Sequence, residues 1–390
     1  MNARRIRILH AADLHLGSSF ASLGVDSVTG NKLRGAQRKV FRRILETARH
    51  WPADALCIAG DLFDGVHAEK DLLDEVLGML EEAAPLPVYI APGGSDPFVT
   101  ESPYALALWP ENVTVFPPGK WHAALHSGLP LTVHGLGYDG ARDQELLSEG
   151  LNIPRDGRIH IAVTHGTIPD VKGEKKYAAL FKHAIGANNE LAYLAMGYFH
   201  ETTEIGLESN TVAWSPGAPQ GRNSDETKSR HILQVEITQE DGGVPCVSVM
   251  PVDVSEILFE RLDLDIARAA DAAALFDALC AKDPREKVVH LCLHGARPAQ
   301  AEGIVTDLRN MTNSLFLYAD IEDNTIIGQE TLVPVRDNSC LSKLIELMGS
   351  RILDETIREN ALRESEALEL MLNACHTITP STPEEGFLFS

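Results

Sequence analysis

Cysteine is scarce and scattered in this chain. The six thiols, Cys57, Cys246, Cys280, Cys292, Cys340 and Cys375, form no CxxC pair, which argues against a zinc or disulfide framework and fits separate reduced thiols. No apolar run approaches the roughly 18 residues that a membrane span needs, so no membrane association is expected. Positive charge is short too: 34 Lys and Arg face 56 Asp and Glu, a net charge of -22. That balance excludes a protein that coats itself in nucleic acid by bulk attraction. Internal repeats are lacking. The start, MNARRIRILH, enters a strand pattern without an apolar leader core or cleavage site, and a cytoplasmic location is expected.

What is there is a long chain, 390 residues with 44% hydrophobic content, enough for two cores. Its charge is uneven. The first fifty residues hold ten basic side chains against three acidic ones, a local +7 that leaves -29 for the rest. Most of the excess falls in RGAQRKVFRRILETA, a helix pattern from about Lys32 to His50, which has the charge to meet a phosphate backbone locally.

Apolar strand runs alternate with helices over the first half: RIRILHAAD, the basic helix, ALCIAGD, a helix over about 69–83, and PVYIAPGG. Such alternation predicts an α/β fold with a largely parallel sheet. From about 112 to 252 strands dominate, which predicts a second sheet packed on the first with helices outside. The expectation for 1–252 is therefore a four-layer α/β/β/α sandwich. Residues 253–333 read as strand, helix, strand, helix, strand, a small α+β domain. Over 334–390 the pattern gives a helical tail in which Leu341, Leu344, Ile345, Met348 and Ile352 share one face. That face suits either the chain's own body or a partner.

Five acid or histidine motifs each follow an apolar strand: Asp13-Leu14-His15, Gly60-Asp61-Leu62-Phe63-Asp64, Gly93-Gly94-Ser95-Asp96, Thr164-His165-Gly166 and Gly197-Tyr198-Phe199-His200. Loops at the carboxyl ends of strands in α/β sheets gather along one crevice, so these side chains converge although nearly two hundred residues apart. A single strand-end histidine is usually a packing residue. Five motifs in one chain, all at strand ends, predict a metal site.

These segments resemble the calcineurin-like metallophosphoesterases and, within them, the DNA-repair exonuclease branch (SbcD- and YhaO-like). HAADLHLG, AGDLFDG, APGGSD, VTHG and GYFH match that branch in order, SPGAPQGR matches its following loop, and the basic helix is also similar. The resemblance covers about residues 5 to 250. It implies that Asp13, His15 and His200 hold a first metal, that Asp61 bridges to a second, and that His165 serves the second. It further implies manganese, a DNA phosphodiester as substrate, two ions assisting in-line attack on phosphorus, a small capping domain facing DNA, and a terminal helix that holds an SMC-like ATPase or a homodimer mate.

The chain departs from the family at two places. The third motif is usually Gly-Asn-His-Asp, and here Gly94 and Ser95 stand where the asparagine and histidine would be. The fifth is usually Gly-His-x-His, and here the first histidine is Tyr198. Expected catalytic groups are accordingly Asp61, Asp96, Ser95 and Tyr198, with Arg222 and Arg38 as substrate contacts and His10 and Asp64 supporting the site from behind. One firmly held ion is expected, the second weak or absent. Three functions stay open: a slowed DNA phosphodiesterase, an inactive DNA-binding or scaffold subunit for an SMC-like ATPase, and a small-molecule phosphatase. His290 and His294, on a strand of the second domain, read as packing or surface residues.

Overall fold

The computed structural model describes residues 4–140, 151–166, 190–207, 209–227, 229–240, 242–266, 286–297 and 304–327. The expected helix over 271–281 and the whole expected tail over 334–390 lie outside the described residues.

In chain order the first half runs β1 (Arg4–Ala11), α1 (Ser27–His50), β2 (Ala55–Ala59), α2 (Lys70–Glu82), β3 (Val88–Ala91), the short α3 (Pro103–Leu106) and β4 (Val113–Val115). Then come β5 (His122–Leu125), β6 (Leu131–Leu136), β7 (Ile159–His165), β8 (Leu191–Gly197), β9 (Thr203–Glu204), β10 (Val212–Ser215), β11 (His231–Gln239) and β12 (Cys246–Asp253). The last elements are β13 (Leu258–Asp265), β14 (Lys287–Arg297), α4 (Ile304–Leu315) and β15 (Tyr318–Ile327).

α1 begins five residues earlier than its apolar periodicity suggests, because the Asp26 side chain accepts from Thr29 N at 2.7 Å and caps an exposed first turn. Its buried stripe, Leu33, Ala36, Val40, Phe41, Ile44, Leu45 and Ala48, recurs at helical spacing. β2 and β3 are buried at every position, as strands covered on both faces are.

The strands form two six-membered sheets, ordered β12-β11-β1-β2-β3-β4 and β5-β6-β7-β8-β10-β9, and a three-stranded sheet β13-β14-β15. In the first, β1, β2, β3 and β4 are parallel and β11 returns antiparallel to β1. In the second, β6, β7, β8 and β10 are parallel. One apolar layer lies between the two sheets and includes Ile6, Ile8, Cys57, Tyr89, Phe116, Val133, Ile161 and Tyr193. Another joins the first sheet to α1 and α2 through Leu9, Phe41, Ile44, Leu56, Val76 and Leu80. Leu151 and Ile153 pack on the outer face of the second sheet with Leu136, Leu194 and Met196. Helix, sheet and sheet are thus three layers among the described residues.

The chain divides into two compact units. The larger takes in the described residues up to Arg261 together with residues 286–289 and Phe316–Tyr318, and the smaller takes in the rest of β13, β14, α4 and β15.

Three buried histidines of the larger unit, His10, His134 and His160, lie outside the strand-end motifs. His10 Nδ1 lies 2.9 Å from the Tyr193 hydroxyl between the sheets, and burial lowers its pKa to about 3. On the outward face of the second sheet His134 meets His160 at 3.0 Å, and His160 meets Asp156 at 3.0 Å. Burial, then the charge of His160, lowers His134 to about 4. Both folded values fall below the ordinary 6.5, so the unfolded chain takes up these protons first as pH falls. Stability is present above pH ~6.5 and is lost toward pH ~4, by up to ~1.4 kcal/mol per pH unit per fully buried group. Chemical denaturation at pH 7 and pH 5 should show this loss, and His10→Gln should shrink it. An undiminished loss in that variant would acquit His10.

Candidate metal centre

The backbone brings the first two motifs side by side before any side chain acts. Beyond the ends of β1 and β2 the parallel pairing continues through Asp13 N to Gly60 O at 3.1 Å, His15 N to Asp61 O at 2.8 Å and Leu16 N to Leu62 O at 2.9 Å. Asp13, His15 and Asp61 have φ of 51°, 47° and 50°, and Tyr198 has φ of 107°. Side chains adopt such angles at a cost of about 1–3 kcal/mol each. Four of the five described non-glycine residues with positive φ belong to these motifs. The third motif closes down on them: a Cβ at Gly93 would lie 2.2 Å from Asp61 Oδ1, so only glycine lets that loop approach the carboxylate.

Asp96 ties the loops together. Its buried carboxylate accepts from Asp61 N at 3.2 Å, Phe63 N at 2.9 Å, Gly93 N at 2.8 Å and the Tyr104 hydroxyl. Burial, then the Asp61 charge, raises its pKa to about 7. Ser95 turns to the same task, donating from N and Oγ to Asp61 at 2.9 and 3.0 Å.

Three histidines then face the acid pair in a common way. His165 Nδ1 donates to Ala59 O at 3.0 Å, leaving Nε2 3.7 Å from Asp61 Oδ1. His200 Nδ1 lies 2.8 Å from Glu226 Oε1, and Nε2 is 4.0 Å from Asp13 Oδ1. His15 Nδ1 is 2.9 Å from Asp64 Oδ1 and Nε2 is 3.4 Å from Asp61 Oδ2. In His165 and His200, Nδ1 held by an oxygen acceptor directs the Nε2 lone pair inward, the tautomer a metal ligand requires.

Electrostatics agree with that arrangement. Asp13 is wholly buried, and burial followed by the Asp61 charge raises its pKa well above the usual carboxylate range. For Asp61 burial pulls upward, but the charges of His165 and His15 and the Ser95 bonds prevail and lower it. Burial lowers the His15 pKa despite the nearby carboxylates. Two buried acids with little positive charge between them suit a bound cation.

The donors also fit one. Asp13, His15 and His200 place ligand atoms within 4.8 Å of one another, and so do Asp13, Asp61 and His165. Neither ring nitrogen of buried His15 has an aligned hydrogen-bond partner. Mixed imidazole and carboxylate suit a borderline divalent ion. Asp13 belongs to both triads, so the second set has three protein ligands, one more than the motifs implied.

The other expected residues are placed as follows. Asp64 backs His15 and lies 3.4 Å from Arg222 Nη1. Arg222 packs beside His200, with Nη2 3.0 Å from Nδ1 and 3.3 Å from Nε2 of that ring and 3.0 Å from Glu226. Tyr198 donates its N to both Asp13 oxygens at 3.1 Å and leaves its side chain 39% exposed. His10 is bonded to Tyr193 in the inter-sheet core, so it does not brace a ligand through any described contact. Arg38 lies on α1, 3.4 Å from Glu75. Its neighbours are similarly engaged, Lys39 and Arg43 with Glu256 and Lys32 with Glu286 at 3.8 Å.

Sequence reasoning missed Glu226, whose carboxylate orients His200 and takes Arg222 N at 2.9 Å. Burial pulls upward on it, but bonds to His200 and Arg222 hold it at about 2. Its only signal is an acid four residues after Arg222 in the loop before β11.

Residues 6–196 match the family model described as calcineurin-like phosphoesterase. Among solved structures the chain is similar to TT1561 of Thermus thermophilus at 15% identity, covering 64% of this chain and 100% of that one with a TM-score of 0.38. It is also similar to the calcineurin-like phosphoesterase YfkN from Bacillus subtilis, at 10% identity, 64% and 91% coverage and a TM-score of 0.38. A dimetal phosphatase from Danio rerio matches at 10% identity, 64% and 99% coverage and a TM-score of 0.39.

The brace at Asp96 is testable by itself. Asp96→Ala strands three backbone donors and one hydroxyl in a dry pocket and should cost about 3 kcal/mol or more in chemical denaturation. A loss below about 1 kcal/mol would mean that the loops are held by other contacts.

Proposed function

We propose, from the match of residues 6–196 to the calcineurin-like phosphoesterase family model, that the chain is a metal-dependent phosphodiesterase acting slowly on DNA. The observation that carries the reading is the convergence of two ligand triads, Asp13 with His15 and His200, and Asp13 with Asp61 and His165. They come from the carboxyl ends of strands in two different sheets. DNA as the substrate class rests on the order of the motifs and on the SPGAPQGR loop.

Divalent cations such as manganese, held by these triads, would supply Lewis acidity to a phosphoryl oxygen and lower the pKa of the attacking water. The remaining work falls to the chain itself. Glu226 orients His200 and Ala59 O orients His165, Asp64 stands beside His15, and Asp96 and Ser95 fix Asp61. Arg222, beside His200, has the planar fork that pairs with phosphate oxygens. Gly94 and Ser95 offer no imidazole toward a departing oxygen. Loss of such a group costs about 10²- to 10⁴-fold, which is why the proposed turnover is slow. The Tyr198 hydroxyl, on a half-exposed side chain, is the group left to donate to phosphate.

A second reading, a small-molecule phosphatase, is favoured by one observation: four basic side chains of α1, Lys32, Arg38, Lys39 and Arg43, are paired with Glu286, Glu75 and Glu256. A phosphate backbone would have to displace those acids. An SMC-like ATPase or a second copy of the chain remains the proposed partner for 334–390.

Hydrolysis of single- and double-stranded DNA and of p-nitrophenyl phosphate, with manganese added, separates these readings. Slow DNA cleavage that Asp61→Ala reduces to blank is the expected result. Release of p-nitrophenol without DNA cleavage would favour the phosphatase. No turnover of either at micromolar enzyme would refute both and leave an inactive DNA-binding or scaffold subunit.

A further inference from the structure

The smaller unit carries a second cluster of ligand chemistry that owes nothing to the centre described above. On β14, alternation sends Val289, Leu291 and Leu293 to a buried apolar side, so His290 and Cys292 share the opposite face. On β15, Asp320 and Glu322 likewise stand two residues apart, and the two strands are neighbours in their sheet. His290 Nε2 lies 3.1 Å from Glu322 Oε2, Cys292 Sγ lies 3.3 Å from the same oxygen, and His290 Nδ1 lies 3.1 Å from Asp320 Oδ2.

We propose that His290 Nε2, Cys292 Sγ and a Glu322 oxygen form a zinc site that clips β14 to β15, with Asp320 orienting the imidazole. The three ligand atoms all lie within 4.8 Å of one another. Tetrahedral zinc, with bonds of about 2.0 Å to nitrogen and oxygen and about 2.3 Å to sulfur, spaces its ligands roughly 3.3–3.5 Å apart. The observed 3.1 and 3.3 Å separations need only a slight opening. Thiolate, imidazole and carboxylate together select a borderline-soft ion over magnesium or calcium. Asp320 on Nδ1 repeats the carboxylate–histidine pattern that fixes the tautomer of metal-bound histidine. Binding releases the Cys292 thiol proton to solvent, so affinity falls as pH falls. Three protein ligands leave the fourth position to water. The thiol is 4% exposed, which shields it from bulk oxidants while the carboxylate side stays accessible.

Cobalt(II) added to the full-length reduced protein tests this with a signal that the larger unit's triads, which contain no sulfur, do not give. Thiolate-bound cobalt absorbs intensely in the near ultraviolet by charge transfer. The expected result is one equivalent of that band, displaced by zinc, absent in Cys292→Ser, and retained in Asp61→Asn. His290→Gln should keep a residual band with cobalt affinity lowered by about tenfold or more, and Asp320→Asn should lower it by about 10- to 100-fold. No band in the wild-type protein, or a band that survives Cys292→Ser, would overturn the proposal. Circular dichroism of Cys292→Ser matching the wild type keeps loss of folding apart from loss of the ligand.

Discussion

Two carboxylates, Asp13 and Asp61, are held next to each other where water barely reaches, and the rest of the larger unit is arranged around that juxtaposition. Buried like charges repel strongly unless a proton or a cation intervenes. The pair's opposite shifts, Asp13 upward and Asp61 downward, express the compromise a proton alone would strike. Everything near the pair stiffens it further. The strand pairing runs on past β1 and β2, Asp96 draws two loops and α3 together, and the imidazoles of His165 and His200 are held at Nδ1. Preorganisation of this kind lowers the reorganisation needed when a cation enters.

Electrostatics at the surface tell a different story from electrostatics counted along the chain. The first fifty residues are strongly basic, yet Arg5 and Arg7 meet Glu236, Lys39 and Arg43 meet Glu256, and Arg38 meets Glu75. Such exposed pairs are individually worth little. Their effect on the field is larger, because these three acids offset part of the charge of five cations that a phosphate backbone would otherwise use. A helix that is basic in sequence is thus partly neutralised where it packs, and Arg222 beside His200 is a further cation placed to meet phosphate.

Much of this was legible in the chain. Parallel strands ending in Asp-x-His, Gly-Asp and Thr-His announce their loops because apolar runs precede them and sheet geometry collects strand ends. Less legible was which strand joins which sheet. β11 and β12 return to the first sheet after six strands have built the second, a long-range pairing that no local pattern encodes. Glu226 was missed because its partner is 26 residues away across a loop. Ser95 was read for the imidazole it lacks, whereas its two donations to Asp61 depend on how tightly the Gly93 turn folds. His10 looked like a support for the site from its place three residues before Asp13, but a strand residue at that spacing points into the inter-sheet layer, where Tyr193 receives it. Cys292 carried no signal as a lone thiol. Only the pairing of β14 with β15 gives it His290 and Glu322 as neighbours.

The left-handed backbone at Asp13, His15 and Asp61 has a bearing on how this protein changes over generations. Glycine or asparagine would sit in those conformations more easily, so drift guided by folding alone leads away from the ligands and toward a more relaxed chain. Acids and imidazole that persist at such uncomfortable angles mark where use has outweighed comfort. Thermostabilised descendants of this sequence would be expected to lose those three side chains early if nothing but folding were asked of them.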